Sequence, residues 1–457
     1  MVYRSTRGNA EFTFTEAMRL GRAPDGGYFV PADLPDFDWN NFLHLDQDSR
    51  ALELMQAFCP DLELSEQIEI LALALNADAF PYGIYRVDRL NRYNERRFIL
   101  ELDRGASGFL HDYGMALHLA FAEQLGIYKS KTPILGPYEE EQRAFDAWRS
   151  LHPELELSSA VFLHQQGRAP ASFNTVLEGD RHLSLNSRQP ELSFALRELP
   201  ADLSEQFDFI DGSSPAFILA GMIILASALA DLAEKGEIQT ELNLVLPQFS
   251  LNLLLASLYL KSLGAPIAQI LLVNGQNHAV ADFIRSGKLS LRRRFLQTEA
   301  AEVERLLPAN LESLIFELCG RDLDLTADFF TQLESKKQAK LERELLKAWS
   351  GQLISCYATE RRAGKMREKL YHETDYLFDT YSLLALAGLE HQKQFEQEQV
   401  LLLLCGRPWK GYQDSVAEIE RLAKESGAAA TAYCLSEKQD VEVLRCELAE
   451  LKDLLLN

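Results

Sequence analysis

The chain alternates short apolar runs with segments of helical periodicity, and that alternation restricts the folds open to it. Phe98–Leu102, Pro133–Leu135, Ala160–Leu163, Arg181–Leu185, Leu242–Leu246, Ala268–Val273 and Gln399–Leu404 read as strands. Between them, Met115–Leu125, Glu139–Leu151, Ala216–Ala230 and Leu253–Gly264 carry helical apolar spacing, the last ending in a glycine cap. Strands separated by helices predict an α/β protein with parallel-rich sheets flanked by helices. At 457 residues, 47% of them hydrophobic, the chain buries a large core and exceeds one ordinary domain. Ala216–Ala230 is the longest apolar run; it falls short of the ~20 residues that cross a bilayer and contains Gly221 and Ser227. It reads as a buried helix.

Charge removes several functions. There are 46 Lys and Arg against 68 Asp and Glu, a net charge of -22, which repels nucleic acid and anionic membranes. Arg292-Arg293-Arg294 is the one compact basic run and reads as a solvated face. Six cysteines (Cys59, Cys319, Cys356, Cys405, Cys434, Cys446) contain no C-x-x-C pair, so neither a zinc site nor a disulfide framework is expected. With an N-terminus lacking an apolar h-region, the expected location is cytoplasmic.

Several motifs appear in a telling order. Tyr3-Arg-Ser-Thr-Arg-Gly8 and Ala23-Pro-Asp-Gly-Gly27, followed by Tyr28-Phe-Val30, open the chain around a short helix at Phe14–Gly21. Glu101-Leu-Asp-Arg-Gly-Ala-Ser-Gly-Phe-Leu-His111-Asp-Tyr-Gly114 spans a strand-to-helix junction. Asp211-Gly-Ser-Ser-Pro-Ala-Phe-Ile-Leu219, Leu263-Gly-Ala-Pro266, Asn274-Gly-Gln-Asn277, Phe283-Ile-Arg-Ser-Gly287 and Pro308-Ala-Asn-Leu-Glu-Ser-Leu-Ile-Phe-Glu-Leu318 come next. Together they resemble the threonine synthases, pyridoxal phosphate enzymes of fold type II, from residue 3 to beyond residue 415. The resemblance implies a two-lobed, tryptophan-synthase-β-like fold with a small N-terminal domain at 1–90. It further implies a small lobe at 111–204 and a large lobe at 91–110 and 205–457, with a charged helical insertion near 323–373. No strand is expected within that insertion. Val441–Leu455 reads as a terminal amphipathic helix.

The same resemblance implies that functional positions have changed. In the family the 101–114 segment carries the lysine that forms a Schiff base with pyridoxal phosphate. His111 stands there, and an imidazole has no primary amine. The family's substrate and cofactor loop of small residues appears as Glu139, Glu140, Glu141 and Gln142, read as an acidic helix N-terminus that complements the macrodipole. Its glycine-rich phosphate loop appears as Gln248, Phe249, Ser250, Leu251 and Asn252, where Phe249 takes phosphate space and the polar residues suit a helix cap. Tyr381 stands in place of a family histidine, and Cys405 in place of a threonine that contacts the pyridine nitrogen, with Trp409 nearby and Pro408 and Lys410 retained.

Three readings are open. The first is a threonine synthase-like pseudoenzyme that binds no pyridoxal phosphate and acts on a small-molecule or protein partner. The second is a related lyase with residual conversion of O-phosphohomoserine to threonine, holding pyridoxal phosphate non-covalently, or with a different reaction. The third is a regulatory subunit of an active paralogue, docked through Lys336–Glu373, although that segment also suits a solvated face. His111 and Asp112, adjacent at a helix start, point in different directions and form no dyad. His111 and His278, the histidines nearest the expected cleft, have no metal-site spacing.

Overall fold

Four sheets organise the described residues. The computed structural model describes residues 1–90, 96–153, 155, 159–165, 173–186, 194–196, 203, 205–238, 240–248, 251–296, 298, 305–374, 376, 378–407, 439 and 441–456. β1 (Tyr3–Ser5), β2 (Glu11–Phe12) and β3 (Phe29–Pro31) form an antiparallel N-terminal sheet in the order β2-β1-β3. The intervening helix Phe14–Leu20 starts with a capping box on Thr13 and Glu16 and ends at Gly21, whose φ of 72° no β-carbon residue adopts easily.

The large sheet has the order β14-β11-β10-β15-β5-β4. In chain order its strands are β4 (Arg86–Arg89), β5 (Arg97–Glu101), β10 (Leu242–Pro247), β11 (Ile267–Asn274), β14 (Leu353–Tyr357) and β15 (Val400–Leu404). All pairings are parallel except β4 on β5. The second sheet, β16-β8-β7-β6-β9, is wholly parallel and comprises β6 (Thr132–Leu135), β7 (Val161–Gln165), β8 (Arg181–Asn186), β9 (Phe207–Ile210) and β16 (Val443–Glu447). β12 (Lys288–Ser290) and β13 (Gln338–Lys340) make a small antiparallel ladder. The expected two-lobed α/β architecture with an N-terminal addition is present.

Three expectations are corrected. The stretch near 323–373 is not purely helical, because β13 and β14 interrupt it and β14 is an edge of the large sheet, paired from Ile270↔Leu353 to Asn274↔Tyr357. Leu353-Ile-Ser-Cys-Tyr357 is short and flanked by Lys- and Glu-rich helices, so its strand character comes from pairing with β11, not from local pattern. The expected helix at Val441–Leu455 starts instead as β16, which returns to β8, and only Leu451–Leu456 is α-helical. β9 and β16 thus belong to the second sheet although their residues lie outside 111–204, since β6 and β8 each offer an edge that a later segment fills.

The core centres on the helix Pro215–Glu234, started by Ser214 as N-cap with Pro215 at its first turn. Its 20 residues are long and apolar enough to cross a membrane, yet 89% of its most apolar stretch is buried inside the protein. It packs against the helices Gln47–Phe58, His111–Gln124 and Asn252–Ser262. The contact with the His111 helix is close because Gly114 has no side chain: a β-carbon there would lie 2.2 Å from the Phe217 ring. Gly114→Leu should therefore overpack this crossing and lower the unfolding free energy by about 2–3 kcal/mol, measured by urea denaturation.

Candidate functional site at the start of the His111 helix

β5 ends at Glu101 and the helix beginning at His111 follows after a tight loop, which places His111 at a strand-to-helix junction as expected. That loop is tied to the end of β15. Leu110 N–H donates to the Cys405 carbonyl at 3.0 Å, and the Arg407 guanidinium donates to the carbonyls of Asp103 at 2.9 Å and Gly105 at 3.2 Å. Asp112 turns back into the loop, accepting from Ser107 N–H at 3.0 Å and Phe109 N–H at 3.4 Å. His111 and Asp112 therefore point to different partners. Burial pushes the Asp112 carboxyl up to about 6, and it does the same to Asp103 and Asp379, which flank the β15 end.

The His111 imidazole is 1% exposed. The Phe109 ring stacks on it at 5.2 Å between centroids, and Tyr381 meets Phe109 edge-on at 5.6 Å. On another side lies Glu141, whose Oε1 is 3.9 Å from His111 Nε2 and 3.1 Å from the guanidinium of Arg305. Glu141 is 0% and Arg305 1% exposed. The Arg305 guanidinium sits over the Tyr138 ring, 3.4 Å from its centroid. The Tyr381 hydroxyl reaches Glu140 Oε1 at 3.5 Å.

Glu139, Glu140 and Glu141 do form the acidic first turn of helix Glu139–Leu151, but most of that turn is buried. Only Glu139 faces water, paired with Arg143 at 2.8 Å. Glu140 and Glu141 point inward because the first turn of helix Glu139–Leu151 lies against the His111 helix, and Arg305 supplies the counter-charge that lets Glu141 stay buried. Gln142 is also buried, donating to the carbonyls of Gly136 at 2.9 Å and Leu163 at 2.8 Å.

The remaining expected positions act as a scaffold. Gln248 donates to the Arg305 carbonyl at 3.0 Å and is bonded by Asn274. Leu251 N–H bonds the Ala309 carbonyl at 3.1 Å, and the Asn252 side chain accepts from Asn310, which also donates to the Gly212 carbonyl at 3.0 Å. The expected helix cap is thus replaced by bonds that hold 305–310 against the cleft. Phe249, Ser250, Pro408, Trp409 and Lys410 lie outside the described residues. Cys405 is fully buried, with its thiol pushed well up by burial, and its carbonyl accepts from the N–H of Leu110, the residue before His111. His278 lies apart from this cluster, stacked on Tyr357 at 4.1 Å and 3.0 Å from Asp282. Among the described residues no cluster suits a metal, and the five described cysteines are unpaired.

Sequence reasoning missed Arg305, Tyr138, Phe109 and Arg407. A single arginine in Val303-Glu-Arg-Leu-Leu-Pro308 carries no pattern that marks it as buried. Tyr138 and Phe109 adjoin positions already in view, and that adjacency was the only available signal.

The fold is that of the threonine synthases. It superposes on threonine synthase from yeast with a TM-score of 0.79 at 16% identity, covering 100% of this chain and 98% of that one. For the PLP-bound threonine synthase from Brucella melitensis the values are 0.81 and 18%, covering 99% and 98%. A sequence model of the threonine synthase N terminus matches residues 2–71. Human threonine synthase-like 2 is 23% identical over 421 residues, 87% of this chain and 84% of the relative. Human threonine synthase-like 1 is 24% identical over 403 residues, 81% of this chain; the chain spans about half of that relative, 53%. In fold and in sequence the chain is thus similar to the threonine synthases and the threonine synthase-like proteins.

The family implies pyridoxal phosphate, and the arrangement around His111 does not fit it. The cavity beside His111, lined mainly by Leu110, Phe217, Ile224 and Leu253, measures about 20 Å³. That is room for a water, whereas small-molecule sites measure roughly 300 Å³ or more. An imidazole makes no imine, and the buried Glu141 carboxylate lies 3.9 Å from it.

Breaking the buried pair from one side should be costly. Arg305→Met removes the guanidinium that pairs with buried Glu141 and should destabilise by about 3–5 kcal/mol, while Arg305→Met with Glu141→Leu should recover most of that loss. A double-mutant cycle by urea denaturation reads both outcomes. Asp112 makes a separate prediction. With a folded pKa of about 6 against 3.8 in the unfolded chain, the folded state holds the extra proton between those values, so this group's contribution to stability falls as pH rises through that window. The stability of Asp112→Asn relative to the native chain should therefore rise from pH 4 to pH 7, followed by denaturation at stepped pH.

Proposed function

We propose that this chain is a threonine synthase-like pseudoenzyme that has given up pyridoxal phosphate and acts by binding a ligand or protein partner. One observation carries the reading: the fully buried Glu141–Arg305 pair lies against His111, which stands where the resemblance puts the cofactor lysine. A catalytic site of this family needs an amine, an anion cradle and room for two molecules. His111 offers no amine, Glu140 and Glu141 oppose an anion, and 20 Å³ admits neither molecule.

The test is direct. Incubation of the purified chain with excess pyridoxal phosphate, then borohydride and mass spectrometry, should yield no site-specific adduct and no saturable visible absorbance. His111→Lys should also stay unlabelled at residue 111, because the surrounding packing remains. Stoichiometric labelling of that variant would mean that the cleft opens to the cofactor. A saturable, reducible adduct of the native chain, or rescue of a threonine auxotroph, would overturn the reading.

A further inference from the structure

A polar recess and an apolar groove meet at Arg285, on the face built by the helix Ala279–Ser286, β12 and β14. The recess, about 310 Å³, is lined by Arg285, Lys288, Arg293, Ser286 and Ser290 around Asp282. Asp282 holds Arg285 at 2.6 Å, also pairs with Arg293, and lies 3.0 Å from His278. One carboxylate thus faces three cations, in a chain whose net charge is -22. The groove, about 450 Å³, has Ile284, Leu318, Leu346, Trp349 and Leu353 along it, with Arg343 and Lys347 at its rim. Among the described residues no acidic side chain lines it. None of these residues belongs to the His111 cluster, so a ligand on this face is independent of the function proposed for that cluster.

We propose that this composite site binds a single-chain amphipathic anion, with a phosphate monoester head in the recess and an unbranched apolar chain along the groove. Two guanidiniums held by one carboxylate present preset donor forks, the geometry that suits phosphate oxygens. Serine hydroxyls and Lys288 add further donors. Both volumes fall within the range of small-molecule sites. Leu346, Trp349 and Ile284 are each half-buried and gain from being covered. The charge balance selects an anion, and the acid-free apolar groove selects a chain attached to it.

Hexyl, octyl and decyl phosphate, each below its micellar concentration, are titrated into the full chain by calorimetry. Affinity should rise about two- to fourfold per methylene. Decanol should bind at least tenfold more weakly than decyl phosphate. Arg285→Glu and Lys288→Glu, both on exposed side chains, should each weaken decyl phosphate at least tenfold, and Leu346→Asp should abolish the chain-length dependence. Absence of saturable binding would overturn the proposal. So would affinity independent of chain length, equal binding of decanol, indifference to both charge reversals, or binding only to anionic vesicles.

Discussion

The architecture around the cleft rests on the buried ion pair between Glu141 and Arg305. A buried charge is costly unless it is paired, and these two pair with each other at 3.1 Å. Glu141 comes from the helix after β6 in the second sheet, whereas Arg305 lies on the segment that leads into the helix Leu311–Leu318. Their contact draws those parts together over His111 and shapes a wall that is closed by protein atoms. Gln248 holds the Arg305 backbone, and Asn310 links Asn252 to Gly212, so the same segment is secured from several directions.

Motifs shared with the family also meet one another in space. Arg7 grips Glu312 with two hydrogen bonds, at 2.9 and 3.0 Å, and Thr6 adds a third at 2.7 Å. The opening Tyr3–Gly8 segment is thereby locked onto Pro308–Leu318, some 300 residues later. Arg22 pairs with Asp211 at 2.6 Å and lies over the Tyr28 ring, joining the first turn to the segment that starts the central helix. These contacts define the frame of the cleft and leave its chemistry open, which is why the frame and the contents of the cleft can diverge.

Much of the fold was legible because burial on both faces makes parallel strands continuous apolar runs, as in Leu242–Leu246 and Ala268–Val273. β14 and β16 were not legible, since each is short and half-exposed and becomes a strand by pairing with a distant edge. At the site, His111, Glu140, Glu141 and Tyr381 were all picked out as altered positions. Their packing into one cluster was invisible, because a partner in it, Arg305, lies 164 residues from Glu141.

The sequence by itself determined the α/β class, the strand-to-helix junction that carries His111 and the loss of an amine there. Local periodicity and side-chain chemistry suffice for those. Only the tertiary structure decided that the carboxylates of Glu140 and Glu141 face inward, that Arg305 pairs with Glu141, and that the cavity against the His111 and Gly114 face measures about 20 Å³. Burying a charge costs more than local sequence can offset, so its direction is set by a distant counter-charge, and that information exists only in the folded chain.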